Sequence, residues 1–227
     1  MAELYPVNET FLSWQGEGVH LGRKAFFIRL QGCPVKCTWC DSASTWHPQY
    51  VPKQVRKATA EELAAEALAA QPEFVVLTGG EPCIHDLSML LAAMAAVKLP
   101  VHLETCGAYP IVDGFAWVTA SPKWAKPPLA ESLARADEVK LIVEEADSIE
   151  KWTEAVGGKW LSRHVWLHPE WSKRADPIIL KAITEKVKNV GAPYRAGWQV
   201  HKPYAADSLD VRARPPAPLG GDPTKGF

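Results

Sequence analysis

The chain has 227 residues, 47% hydrophobic and 22% charged, an ordinary globular composition with material for one sizeable core. Its net charge is −1 and its Lys and Arg residues form no cluster. A phosphate-backbone footprint is therefore missing, and a small-molecule substrate is expected rather than a nucleic acid. The first residues lack the basic-then-apolar layout of a secretion signal, and the longest apolar run, residues 87–97, is too short to cross a bilayer. A cytoplasmic protein without membrane association is expected.

In chain order, Ser13-Trp14-Gln15-Gly16-Glu17-Gly18 reads on its own as a polar turn. Residues 25–31, Ala-Phe-Phe-Ile-Arg-Leu-Gln, form a compact apolar run and the first expected strand. A cysteine-bearing loop follows over residues 32–42. Thr59-Ala-Glu-Glu62 is a capping box and opens a helix to about residue 70, with Leu63, Ala67 and Leu68 assigned to one face. Residues 74–77 are a short buried strand that ends in Thr-Gly-Gly. A second helix is expected over residues 86–97, and strands over residues 101–104, 117–120 and 138–143. Asp147-Ser-Ile-Glu150 repeats the capping signal before a helix to about residue 156, and residues 164–168 are a strand. Asp176-Pro177 starts the last helix, with proline at its first position. Ile178, Ile179, Ala182, Ile183, Val187 and Val190 supply its apolar positions, and Gly191 ends it in a left-handed turn.

Short apolar strands alternating with helices indicate an α/β fold with a mostly parallel sheet, curled by right-handed crossovers into a partial, truncated TIM-like barrel. The motifs at residues 32–42, 78–82, 104–107 and 121–123, and at His168-Pro169 and His201-Lys202, follow strands, at the carboxyl ends where such folds place their sites. From about Ala205 the chain turns rich in proline and glycine (Pro215, Pro216, Pro218, Gly220, Gly221, Pro223) and reads as a mobile tail. The expected organisation is one domain over residues 1–204 and a tail over residues 205–227.

Five cysteines are present, and Cys33, Cys37 and Cys40 stand as C-x3-C-x2-C with no fourth cysteine nearby. A closed zinc site wants four protein ligands, and a simple electron-transfer cluster usually takes four cysteines. Three thiolates on one loop can hold a four-iron cluster and leave one iron open for chemistry. A zinc knuckle completed by His47, or a set of free thiols, is the competing reading. Cys83 and Cys106 sit alone and read as small buried side chains. Paired glycines in Thr78-Gly79-Gly80-Glu81-Pro82 signal a backbone that closely approaches something. Arg29, inside an apolar strand, needs an anionic partner and can hold a carboxylate as a fork. Glu17 can accept two hydrogen bonds from the N–H edge of a pterin or guanine.

With Trp39 before the last cysteine, the cysteine loop resembles the signature of the radical S-adenosylmethionine (SAM) enzymes. Gln-Gly-Glu-Gly, Gly-Cys-x3-Cys-x2-Cys-Asp-Ser, Thr-Gly-Gly-Glu-Pro, Glu-Thr-x-Gly, Ser-Pro-Lys and a late Gln-x-His-Lys occur in that order. Together they resemble the 7-carboxy-7-deazaguanine synthase family over about residues 5–204. The resemblance implies a radical SAM core and a homodimer. It implies ring contraction of 6-carboxy-5,6,7,8-tetrahydropterin with loss of ammonia, in 7-deazapurine (queuosine and preQ0) biosynthesis. It also implies a 4Fe-4S cluster, SAM, Mg2+ and an electron donor such as a flavodoxin or ferredoxin. Position by position, it implies that Cys33, Cys37 and Cys40 hold the cluster, and that Trp39 lies near the adenine. Thr78, Gly79, Gly80, Glu81 and Ser121-Pro122-Lys123 fall in the SAM-binding motifs, and His168 to Trp171 match more loosely. Trp14, Gln15, Gly16, Arg29 and Thr78 match substrate-contacting positions, with Glu17, Glu104 and His201 in the same pocket. Ser42 takes the place of a threonine whose hydroxyl reaches magnesium.

Cys106 and the His168-Pro-Glu-Trp171 run depart from the family's usual residues. A glycyl-radical activating enzyme shares the cysteine loop but would present a groove for a partner loop instead of the Gln-Gly-Glu-Gly pocket. A non-catalytic metal or electron carrier would not need Thr-Gly-Gly-Glu-Pro.

Overall fold

The computed structural model describes residues 3–158 and 160–217. Among them are nine strands: β1 (Tyr5–Trp14), β2 (Lys24–Leu30), β3 (Arg56–Ala58), β4 (Phe74–Gly79), β5 (Val101–Thr105), β6 (Trp117–Ala120), β7 (Glu138–Val143), β8 (Val165–Pro169) and β9 (Tyr194–Ala196). Five helices accompany them: α1 (Ala60–Ala70), α2 (Ser88–Ala96), α3 (Ala130–Arg135), α4 (Ser148–Ala155) and α5 (Pro177–Asn189). The strands form one sheet in the order β3-β1-β2-β4-β5-β6-β7-β8-β9. Every pair from β2 to β9 is parallel, and β1 and β3 extend one edge in antiparallel sense. The fold is the expected α/β partial barrel.

Period-two alternation gives the sheet two unlike faces. Ile28, Val75, Leu77, Leu103, Val118, Val139, Leu141 and Leu167 point to the helices and pack with Leu63 of α1, Leu90 and Met94 of α2, Trp152 of α4 and Ile179 and Ile183 of α5. Burial of each such side chain contributes about 2 kcal/mol. The alternate positions form the inner face. There Phe27, Phe74 and Val76 make a small apolar cluster, and polar residues such as Arg29, Thr78, Glu104 and Lys140 follow towards the carboxyl ends of the strands.

The capping box of α1 is formed in both directions: Glu62 N donates to Thr59 Oγ1 at 3.2 Å, and Thr59 N to Glu62 Oε2 at 2.8 Å. Asp176 caps α5 through Ile178 N at 2.8 Å, and Gly191 is left-handed after it, with φ 72°. Asp147 differs from expectation. Its carboxylate pairs with Lys151 at 3.0 Å, and Ser148 Oγ accepts from Glu145 N instead. Leu68 is 49% exposed, because five residues after Leu63 carry it about 140° round the helix. Ile178 and Val190 are likewise exposed.

Two further corrections concern the ends of the chain. Ser13 and Trp14 are not part of a turn but close β1, a ten-residue strand paired with β2 from Val7↔Leu30 to Trp14↔Lys24. The polar residues Asn8, Glu9 and Thr10 break up its apolar signal. Residues 205–217, expected as part of a mobile tail, form a strap hydrogen-bonded to the body of the fold. Asp210 Oδ2 accepts from Leu12 N at 2.8 Å and Asp207 Oδ1 from Ser13 Oγ at 2.7 Å, and Ala43 N donates to Ala217 O at 3.0 Å. Four of the residues that suggested the tail, Pro218, Gly220, Gly221 and Pro223, lie outside the described residues.

Histidines fill the amino-terminal end of the inner face. His102 stacks on Phe74 with centroids 4.0 Å apart, and His20 lies 4.5 Å from His102 and 4.6 Å from Trp117. Burial, assisted by His20 and Arg23, pushes His102 down to about 3. An unfolded histidine titrates near pH ~6.5. As pH falls below that value the unfolded chain binds a proton that folded His102 refuses, so stability drops by up to about 1.4 kcal/mol per pH unit. The thermal midpoint is therefore expected to fall less steeply in His102→Phe than in wild type between about pH 6.5 and 4.5. Parallel curves in thermal melts would contradict this.

Candidate active site

A cavity of about 470 Å³ opens at the carboxyl ends of β2, β4, β5, β6, β7 and β8. The loop after β2 brings all three clustered thiols to it, and each is partly exposed there. Cys33 and Cys37 pack beside Val35, Cys106, Ala108 and Tyr109, and Cys40 Sγ lies 3.9 Å from Ser42 Oγ. Burial pushes Cys37 up to about 11; Lys123 opposes this, while Cys40 and Cys33 reinforce it. Thiolates crowded in this way are stable beside positive metal charge, and a soft sulfur donor set suits iron. Among the described residues no three His, Cys, Asp or Glu converge as a single ion requires. A cubane instead takes each thiolate on a separate iron. His47 is outside the cavity lining, its Nδ1 accepting from Gln49 N at 3.3 Å and its ring lying against Trp46 and Tyr50. The residues present thus fit a four-iron cluster better than a zinc knuckle.

The Thr78-Gly79-Gly80-Glu81 turn locks onto this loop. Gly80 N donates to Leu30 O at 3.1 Å, and Glu81 N to Gly32 O at 2.9 Å. A Cβ on Gly80 would stand 2.2 Å from Gly32 O and 2.6 Å from Cys33 Cβ, so only glycine permits this approach. The Glu81 carboxylate accepts from Thr105 Oγ1 at 2.6 Å, Cys106 N at 2.7 Å and Cys83 N at 3.0 Å. It is committed to tying β4 to the end of β5, and Cys106 is the small packed side chain that the sequence suggests.

After β6, Lys123 Nζ donates to both the carbonyl and the hydroxyl of Ser121 at 2.6 Å and lies 5.4 Å from the centre of the Trp39 ring. Burial lowers its pKa. Pro122 is buried between its neighbours and does not line the cavity. His168, on β8, is fully buried behind the lining, and burial brings it down to about 4, so its ring is neutral. Every other sequence-predicted site residue lines the cavity.

The opposite wall is charged. Arg29 Nε meets Glu9 Oε1 at 2.6 Å, and the sheet register sets Arg29 beside Thr78. Lys140 Nζ lies 2.5 Å from Glu17 Oε2 and 2.8 Å from Glu104 Oε2. Gln15 Nε2 donates to Glu104 Oε1 at 3.0 Å, and Gln199 Nε2 to Glu17 Oε1 at 2.7 Å. Burial pushes Glu17 up, but the Lys140 ammonium pulls harder and holds it well below the ordinary carboxylate range. Lys202 similarly outweighs burial at Asp41, 2.9 Å away. His201 closes against Gly16, whose carbonyl accepts from Val200 N at 3.1 Å. Ser42 presents a hard hydroxyl oxygen to the same cavity, suited to Mg2+ as one ligand among substrate oxygens and waters.

Sequence reasoning passed over Lys140, Glu9, Asp41 and Gln199. A signal existed for Lys140: Glu138 and Lys140 alternate with Val139, Leu141 and Val143 in a parallel strand that should be apolar on both faces. Glu9 carries no comparable local mark, and Asp41 stands in the Cys-Asp-Ser end of the cysteine motif, which does not say which cation it meets. Gln199 stands in the late Gln-x-His-Lys motif, but only the fold shows which carboxylate it meets.

The radical SAM superfamily model matches residues 27–116. The chain is 44% identical over 201 residues to the 7-carboxy-7-deazaguanine synthase of Synechocystis sp., covering 87% of this chain and 91% of that protein. Against the synthase of the same name from Flavobacterium psychrophilum it is 34% identical over 202 residues, covering 88% and 91%. The crystal structure of QueE from Escherichia coli superposes with a TM-score of 0.72 at 31% identity, covering 87% of this chain and 95% of that one.

Gly80→Ala is expected to displace the cysteine loop without unfolding the sheet. Iron and sulfide content after anaerobic reconstitution should fall several-fold while far-UV circular dichroism is retained. Full iron loading in this variant would show that the close approach is dispensable.

Proposed function

The chain belongs to the 7-carboxy-7-deazaguanine synthase family of radical SAM enzymes, and on that premise we propose how its residues divide the work. The enzyme converts 6-carboxy-5,6,7,8-tetrahydropterin to 7-carboxy-7-deazaguanine by radical ring contraction with loss of ammonia, a step of 7-deazapurine biosynthesis. It uses a 4Fe-4S cluster, SAM and Mg2+. When bound, the reduced cluster and SAM supply the 5′-deoxyadenosyl radical that takes a hydrogen atom from the substrate.

In our reading Cys33, Cys37 and Cys40 would hold the cluster, and the Ser42 hydroxyl would give Mg2+ its protein oxygen. Thr78, Gly79 and Gly80 offer backbone and hydroxyl groups to the methionyl end of SAM. Ser121 and Lys123 would flank it, Trp39 would lie beside the adenine, and Glu81 fixes the turn that would present these groups. Pro122 and His168 support the same surface from behind. Arg29 keeps its outer guanidinium nitrogens for the substrate carboxylate while Glu9 holds Nε. Trp14, Gln15 and Gly16 wall the ring, and Glu17 and Glu104 accept its N–H edge, with His201 closing that side. Clamped between these groups, the substrate exposes one hydrogen to attack, which is orientation used as catalysis.

One observation carries this division: a single cavity has three thiols at one wall and the Arg29, Glu17 and Glu104 charges at another. The activating-enzyme alternative loses ground because Gln15, Gly16 and Glu17 line that cavity beside Glu104 instead of leaving a groove for a protein loop. Family likeness further supports a homodimer in the cytoplasm, a flavodoxin or ferredoxin as one-electron donor, and residues 1–204 as the radical SAM domain. Among the described residues no helix is long and apolar enough to cross a membrane.

Anaerobic turnover of the reconstituted protein with the carboxytetrahydropterin, followed by mass spectrometry, should yield the deazapurine. Cys33→Ala, Cys37→Ala or Cys40→Ala should release no 5′-deoxyadenosine; release from any of them would refute the cluster assignment. Arg29→Ala should raise KM roughly 10- to 100-fold, the equivalent of a lost charged hydrogen bond. An unchanged KM would remove Arg29 from the substrate site.

A further inference from the structure

Lys140 has no place in the division of roles above, yet it sits at the centre of the charged wall. Its side chain is 13% exposed, and its ammonium touches one oxygen of Glu17, on the loop after β1, and one of Glu104, on β5. Each carboxylate gives its other oxygen to an amide: Glu17 to Gln199, Glu104 to Gln15. Gln15 is itself held in orientation, because its Oε1 accepts from Glu17 N at 3.2 Å. An ionised carboxylate has about four acceptor sites. With one used by the ammonium and one by an amide, each retains about two. An aminopyrimidinone ring presents three N–H donors along one edge, two from the amino group and one from the ring. Two carboxylates with spare acceptors match that edge; a protonated carboxyl would oppose it with a donor of its own.

Two carboxylates sharing one site repel, and one of them takes up a proton unless a cation intervenes. Besides this pair, the ionisable groups around Lys140 are His168 of β8, His201 after β9 and Lys123 after β6. His168 is neutral, and Lys123 is engaged with Ser121. Lys140 is the cation that forms an ion pair with both carboxylates, and it donates a hydrogen bond to Glu104 as well.

We propose that Lys140 is a positioning residue, whose ammonium, shared by Glu17 and Glu104, holds the two carboxylates as paired acceptors for the N–H edge of the aminopyrimidinone substrate. This rests on the reading of the cavity as the pterin site. Lys140 takes no part in the radical chemistry and makes no contact with the reacting atoms. It acts through the two acids.

The test compares reconstituted wild type, Lys140→Met and Lys140→Arg under anaerobic conditions, with equilibrium binding and turnover of 6-carboxy-5,6,7,8-tetrahydropterin. In Lys140→Met, KM and the pterin dissociation constant should rise at least tenfold. The acidic limb of kcat/KM should move to higher pH, because the acid pair then binds a proton more readily. Iron content and substrate-free SAM cleavage should stay within twofold of wild type, and Lys140→Arg should recover part of the loss. Unchanged binding and an unmoved acidic limb in Lys140→Met would overturn the inference, as would a loss that strikes iron content and substrate-free cleavage equally. Should Lys140→Met not fold, Glu104→Gln reads the same coupling. With one carboxylate left on the ammonium its acidic limb should shift below that of wild type, and an unmoved limb overturns the inference. Wild type that neither binds nor converts the pterin would sink the functional reading and this inference with it. Wild type that does both, beside an indifferent Lys140→Met, sinks this inference alone.

Discussion

Charge placed inside the curve of the sheet governs this molecule. Parallel strands covered on both faces are ordinarily aliphatic throughout, but here the inner face carries Arg29, Glu104 and Lys140, joined by Glu9, Glu17 and Asp41 from neighbouring segments. A buried charge persists only when paired and hydrogen-bonded. Each buried one here has its counter-ion, Arg29 with Glu9 and Lys140 with Glu17 and Glu104, while the more exposed Asp41 pairs with Lys202. The positions of strands, loops and strap around the cavity satisfy these pairings.

Such pairs contribute little net stability, since desolvation offsets their attraction, while removing one partner costs about 3–5 kcal/mol. Stability comes from the other face, where aliphatic strand residues meet the helices. The division of labour is clean. The outer face holds the sheet together, and the inner face is free to hold acceptors and cations in geometry that serves binding.

The strap over residues 205–217 ties the two walls of the cavity to each other. Asp207 and Asp210 fasten it to β1, and Ala217 pairs beside Ser42 at the end of the cysteine loop. Between them Arg214 N donates to Glu9, the carboxylate that also holds Arg29. A segment that composition marks as loose is thus bonded both to Glu9, the partner of Arg29, and to the end of the cysteine loop. Proline and glycine specify a chain without regular structure, not a chain without contacts.

Much was legible in the sequence because the deciding physics is local. Thiol spacing on one loop, a capping box at Thr59, proline after Asp176 and paired glycines after a strand act over a few residues, and the aliphatic runs set strand and helix order. The order of the short motifs also carried the family. What the sequence alone could not determine was which charges meet. Glu17 follows β1, Glu104 lies on β5 and Lys140 two strands further on, so their union depends on sheet register and closure. β1 was hidden because its alternation is interrupted by Asn8, Glu9 and Thr10, polar residues satisfied only by partners far along the chain. The strap was hidden for the same reason: hydrogen bonds between residues about 200 apart leave no local trace, and only the folded chain brings their donors and acceptors together.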